Sequence, residues 1–139
     1  STDLCSGILA GQKMIGDFYD NHSNKEITTS CLLLTDGEAN VGVTSPREIL
    51  ETMKQQNSLH NFPPTVINTF GYSRNHNATL LQTISRETEG MYYFIENEDS
   101  IASAFADCIG GLLSVRAQGV ELEIHSSDTI ALGEIFFFF

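Results

Sequence analysis

Positive charge is scarce in this chain, with 7 Lys and Arg against 18 Asp and Glu and a formal net charge of −11. Such a surface repels phosphate backbones and anionic headgroups, which excludes nucleic acid as the expected partner. No apolar stretch approaches the roughly 20 residues that span a bilayer, so no membrane insertion is expected. The N-terminus has neither a basic segment nor a signal-like apolar core. Phosphate-binding GxxxxGK[ST] and GxGxxG loops and the GxSxG nucleophile elbow are all missing. A DxDG phosphatase site fails as well, because Leu34 stands two residues before Asp36 where a carboxylate is needed. Cys5, Cys31 and Cys108 are few and odd in number, and each falls at an apparent core position. They read as small buried hydrophobes and suit a reducing, cytoplasmic compartment, although the compartment itself stays open. Asn21-His22-Ser23 and Asn77-Ala78-Thr79 match the glycosylation pattern, which is short enough to arise by chance.

What is present is enough for one core: 139 residues, 41% of them hydrophobic, suit a single soluble domain rather than two. Leu4, Ile8, Ile15 and Tyr19 share one face of a helix from Leu4 to Tyr19, with Gly7, Ala10 and Gly11 open to close packing. Ile27 to Thr35 reads as a strand buried on both faces. Ser45-Pro46-Arg47-Glu48 predicts a helix start with a capping box and proline at the first helical position. A second strand runs from Val66 to Gly71, and a third helix through Leu80, Leu81 and Ile84 is stopped by Gly90 as its cap. Met91 to Ile95 is a third strand. Ile101, Ala104, Phe105, Cys108, Ile109, Leu112 and Leu113 form the stripe of a last helix whose Gly110-Gly111 pair implies a packing or mobility reason. Val120, Leu122 and Ile124 alternate with polar residues as a strand leaving the main sheet. Alternating helix and buried strand means an α/β fold with a doubly wound, mostly parallel sheet.

The segment Cys31-Leu32-Leu33-Leu34-Thr35-Asp36-Gly37 is the most informative part of the chain. An apolar strand stops at a carboxylate, and ligands of open α/β sheets collect just outside the carboxyl ends of strands, at a topological switch point. At the start of the first helix, Ser1-Thr2-Asp3-Leu4 delivers a hydroxyl. Two hard oxygen ligands suggest a Mg²⁺-type site. Without a ligand, Asp36-Gly37 reads as an ordinary turn and Thr2 as an ordinary helix cap. His22, His60, His76 and His125 are scattered, without a Cys or Glu at ligand spacing, and read as solvated or turn residues. Glu87, Glu89, Glu96, Glu98 and Asp99 read as a solvated acidic face.

Taken in order, Ser1-Thr2-Asp3-Leu4, Leu32 to Gly37, Ile67 to Tyr72, Gly90 to Phe94 and the final helix with Phe105-Ala106-Asp107 resemble the von Willebrand factor A domain. The resemblance covers residues 1–125 and implies a Rossmann-like sheet with flanking helices. In that family a metal-ion-dependent adhesion site uses a DxSxS motif after the first strand, a threonine and an aspartate; Thr2 matches the threonine and Asp36 the aspartate. The DxSxS motif does not occur in this sequence, so the chain reads as an N-terminally truncated domain carrying half a site. The implied cofactor is Mg²⁺ or Mn²⁺. The implied partner is a protein that contributes an acidic residue to the metal, in a non-enzymatic, adhesion-type interaction. Alternatives are a metal-independent scaffold within a multidomain intracellular protein such as a ubiquitin-ligase-like protein, or an enzyme using Asp36. Residues 126–139 read as a linker or the start of a β-rich domain: Asp128 to Phe136 is similar to the segment after the A domain in plant RING-type ubiquitin ligases, without the RING.

Overall fold

The computed structural model describes residues 2–21, 27–36, 38–72, 76–115, 123, 125 and 133. Helix and strand alternate as expected: α1 (Leu4–Asn21), β1 (Ser30–Thr35), α2 (Pro46–His60), β2 (Val66–Tyr72), α3 (Ala78–Glu87), β3 (Tyr92–Ile95) and α4 (Ile101–Ser114), the last preceded by a 3-10 turn at Glu98–Ser100. All three strands are parallel, with Leu34 opposite Phe70 and Phe70 opposite Tyr93. The α/β class is the one that the sequence predicts.

Because parallel crossovers are right-handed, strands laid down in the order β1-β2-β3 place their connecting helices on one face. Ile49 and Met53 of α2 and Leu80, Leu81 and Ile84 of α3 accordingly share a core with Ile67, and Leu4, Cys5 and Ile8 of α1 join it. On the other face α4 packs Ala104 and Cys108 against Phe70 and Ile95. Phe70 is stacked between two rings, Tyr93 at 4.9 Å and Phe105 at 4.6 Å between centroids. The core thus lies on both sides of β2, with helices on both sides of the sheet.

Buried polar groups tie the strands together. Asn68 donates to Ser30 Oγ at 2.9 Å and accepts from the Met91 backbone at 2.8 Å, so one amide bridges all three strands. Thr69 donates from its hydroxyl to the Leu81 carbonyl at 3.1 Å, joining β2 to α3. Each of these side chains is satisfied, so its burial carries no orphan penalty.

Several expectations need correction. β1 starts at Ser30 rather than Ile27 and is an edge strand among the described residues, so Leu34 is 46% exposed instead of buried on both faces. For the same reason the strand order does not reverse at β1, and the described sheet has no switch point there. Ser45 does precede Pro46 at the start of α2, but its side chain makes no capping bond. The end of α3 is shaped by Glu89 at φ 59°, not by Gly90: the Glu89 and Gly90 amides donate back to the Arg86 and Ser85 carbonyls in a Schellman arrangement. Gly90 is needed for space, since a Cβ there would sit 2.5 Å from the Ile67 carbonyl carbon. Close packing on α1 falls to Gly11 and Gly16, whereas Gly7 has open space and Ala10 is exposed. Ile109 and Leu113 of the predicted α4 stripe are exposed, and nothing lies within 4 Å of a Cβ at Gly110 or Gly111, so no packing reason for that pair exists among the described residues. Val120, Leu122 and Ile124 lie outside the described residues, as does all of 126–139 except residue 133.

Candidate functional site at the carboxyl edge of the sheet

Helix α1 runs antiparallel to β1. Its start is held by the loop that follows β1, because the Thr2 amide donates to Asn40 Oδ1 at 2.8 Å and the Asn40 and Val41 amides donate to the Thr2 carbonyl at 3.2 and 3.3 Å. Its far end is held ahead of β1, because the Tyr19 hydroxyl donates to the Ile27 carbonyl at 2.5 Å. Thr2 is therefore carried to the same edge of the sheet as Asp36, the residue that follows β1. Four residues separate Asp36 from Asn40, which bounds their separation at about 14 Å.

The cap of α1 is Asp3, not Thr2. Asp3 accepts from the Ser6 amide at 3.0 Å and from the Ser6 hydroxyl at 2.7 Å. Those two bonds, the backbone one first, hold its carboxyl below the usual value of 3.8. Gly42, at φ 70°, sits directly against this carboxylate: a Cβ would fall 2.8 Å from Asp3 Oδ1, so both backbone conformation and space demand glycine. With Asp3 capping and the Thr2 backbone clasped by Asn40, the Thr2 hydroxyl makes no hydrogen bond among the described residues. Asp36 is exposed and has no ion pair or hydrogen bond among them either. Two hard oxygen donors are thus unengaged at one edge. Among the described residues no group of three or more His, Cys, Asp or Glu side chains could hold a metal ion, and Thr2 with Asp36 would fill only part of a six-oxygen shell.

A second feature of the edge was not legible as such. His76, expected to be a solvated or turn residue, stands at the bend ahead of α3 and is partly buried: Nδ1 lies 3.2 Å from the Tyr72 carbonyl and Nε2 lies 2.7 Å from the Tyr92 hydroxyl. A carbonyl can only accept, so neutral His76 carries its proton on Nδ1 and Tyr92 donates to Nε2. The ring covers Gly71, where a Cβ would come within 2.8 Å of its Cε1, and packs on Phe94 at 5.5 Å. His76 thus closes the end of β2 as a structural plug. His60 is exposed and stacks on Phe62, and exposed His125 lies 3.2 Å from Glu123. His22 lies outside the described residues. The acidic residues Glu87, Glu89, Glu96, Glu98 and Asp99 are all exposed, as expected. Burial pushes the Cys5, Cys31 and Cys108 thiols up, in keeping with packing rather than reactivity.

The residues that sequence reasoning missed are Asp3, Asn40 and Gly42. An aspartate ahead of an apolar helical run, with serine three residues on, was the available signal for the first. A lone glycine in a polar loop was the signal for the last.

Comparison with known proteins finds inter-alpha-trypsin inhibitor heavy chain H3. The hamster (Mesocricetus auratus) protein is 32% identical over 91 residues, which is 65% of this chain and 10% of that protein. The rat (Rattus norvegicus) protein is 33% identical over 103 residues, 73% of this chain and 11% of that protein. The human protein is 31% identical over 90 residues, 64% of this chain and 10% of that protein. The chain spans about a tenth of the length of the curated relatives it matches. No family model matches it, and no solved structure does so significantly.

Proposed function

We propose that this chain is a von Willebrand factor A-type module that binds a protein partner without catalysis, with Thr2 and Asp36 contributing two oxygen ligands to a Mg²⁺ or Mn²⁺ ion. The observation that carries the reading is the unengaged Thr2 hydroxyl, held at the carboxyl edge by the Asn40 clasp while Asp3 takes over the capping. The parallel α/β sheet and the similarity to an inhibitor heavy chain support a binding role. The bound ion would supply a Lewis-acidic position for a carboxylate of the partner. Asn40 and Gly42 position Thr2 and Asp3, and Asp36 contributes charge from the end of β1. The remaining ligands would come from water and from the partner.

Mn²⁺ titration of the ¹⁵N-labelled chain tests this directly, because a paramagnetic ion broadens amide signals near its site. Thr2, Asp3, Asp36 and Asn40 should bleach first, chelator should restore them, and Asp36→Ala should abolish the effect without altering the rest of the spectrum. Bleaching centred on Glu96, Glu98 and Asp99, or none at all, would replace this site with the metal-independent scaffold, which the shortage of clustered ligands among the described residues favours as second reading.

A further inference from the structure

The outer edge of β1 and the flank of α1 above it form a second surface. β2 pairs with one side of β1, and among the described residues its other side meets no strand. The side chains of β1 alternate between the two faces of the sheet: Cys31 and Leu33 pack into the core under α1, Leu32 packs into the core under α4, and Leu34 is 46% exposed. α1 turns Gln12 and Gly16 toward α2 and Phe62 just beyond it, and sets Gly11 over Cys31, whose Sγ would lie 3.2 Å from a Cβ there. At about 100° per residue, Gly7 and Met14 fall beside Gly11 on the side away from Gln12. They therefore overhang the outer edge of β1. Met14 is 73% exposed, and a Cβ on Gly7 would meet nothing within 4 Å.

Charge decides what can sit on this strip. With a net charge of −11, two copies of the chain repel over most of their surface, yet none of Ser30 to Thr35, Gly7, Gly11 or Met14 has a charged side chain at neutral pH. A basic partner finds no carboxylate here, whereas a second copy meets no repulsion. The strip also matches itself. A two-fold axis normal to the sheet makes two β1 strands antiparallel and keeps each residue and its copy on the same face, so even-numbered residues must stand opposite even-numbered ones. With the axis at Leu32, that residue faces its own copy, Cys31 faces Leu33 of the second copy on the α1 side, and Ser30 faces Leu34 on the α4 side. Because Gly11 sits over Cys31, close to the axis, the two α1 helices approach each other where glycine leaves the backbone bare.

We propose that two copies of this chain pair through β1 about such an axis, joining the three described strands of each into one continuous sheet with the α1 helices side by side at Gly7 and Gly11. Pairing satisfies the outward amides and carbonyls of β1 and covers Leu34. Neither the Thr2 hydroxyl nor the Asp36 carboxylate takes part, so failure of this proposal leaves the metal reading untouched.

Sedimentation equilibrium of the 139-residue chain tests it, alongside Gly7→Gln and Gly110→Gln. Both glycines have open space in a single copy, so both variants should keep the circular dichroism of the parent. Only Gly7→Gln should weaken the dimer, by at least about tenfold, as expected of an overpacked contact. Oxidised Leu32→Cys in a Cys31→Ser background should run as a cross-linked dimer, since directly opposed strand residues lie within disulfide reach. Leu34→Cys in that background should not, its two copies being offset by about 13 Å along the strands. A parent monomeric at every concentration, equal weakening by the two glycine variants, or cross-linking at residue 34 in place of 32 would overturn the proposal.

Discussion

Gly90→Ala should be among the most damaging single-methyl changes in this chain. The added Cβ would stand 2.5 Å from the Ile67 carbonyl carbon and 3.2 Å from the Asn68 nitrogen, and closer still to the Ile67 carbonyl oxygen. Carbon contacts relax near 3.5–4.0 Å, so the turn after α3 must move away from β2 by about 1 Å or more. Neither neighbour can yield, because both are backbone of the central strand. The shift stretches two bonds of 2.8 Å, Met91 amide to Asn68 Oδ1 and Thr69 amide to the Met91 carbonyl. Overpacking costs about 1–3 kcal/mol, and each buried group left unsatisfied adds about 1–3 kcal/mol. A total near 3–5 kcal/mol removes a large part of the ~5–15 kcal/mol typical of a domain. Melting should then fall by about 10–20 °C. The contrast is Gly110→Ala in α4, where nothing lies within 4 Å of the new atom. That change should stabilise by about 0.5–1 kcal/mol through helix propensity alone. Thermal and urea unfolding followed by circular dichroism measure both. A Gly90→Ala protein melting within a few degrees of the parent, or a Gly110→Ala protein equally damaged, would refute the steric reasoning.

Asp3→Asn keeps a capping oxygen and removes the charge. The folded carboxyl sits below its ordinary value of 3.8, so its stabilisation is present above that value and is lost as pH falls through the lower folded one. The parent should therefore exceed the variant in urea midpoint at about pH 7, and the gap should close as pH falls below 3.8 through the lower folded value; a gap independent of pH would remove the charge from the explanation. Among the described residues β1 has an unpaired edge and presents Leu34 at 46% exposure, an invitation to strand pairing between copies. The chain should self-associate at high concentration in sedimentation experiments, and Leu34→Lys should return it toward the monomer. A parent that is monomeric throughout would show that this edge is not adhesive.

The helix and strand order was legible because it depends on local signals. Apolar spacing marked α1, α2 and α3, and the Pro46 start of α2 was placed correctly. The carboxyl-edge position of Asp36 also followed from the apolar run before it, and Thr2 was singled out from resemblance. The capping assignment was not recovered: the sequence places Thr2 and Asp3 side by side, and only the clasp of Asn40 on the Thr2 backbone decides that Asp3 caps while Thr2 is left open. The partners of His76 were not legible for a similar reason. A histidine among polar residues looks solvated until Gly71 of β2 and Tyr92 of β3 are brought beneath it.

By itself, then, the order of residues determined the α/β class, the parallel direction of the strands and the apolar faces of α1 to α3, since period and punctuation act over a few residues. Tertiary structure alone decided which strand forms an edge, why Gly90 cannot carry a side chain, and that Gln12 is buried with an unmet acceptor. Each of those depends on atoms brought together from distant parts of the chain. Exposure at Leu34 follows from the number of neighbouring strands, and space at Gly90 follows from the approach of the Ile67 backbone, quantities that no local pattern encodes.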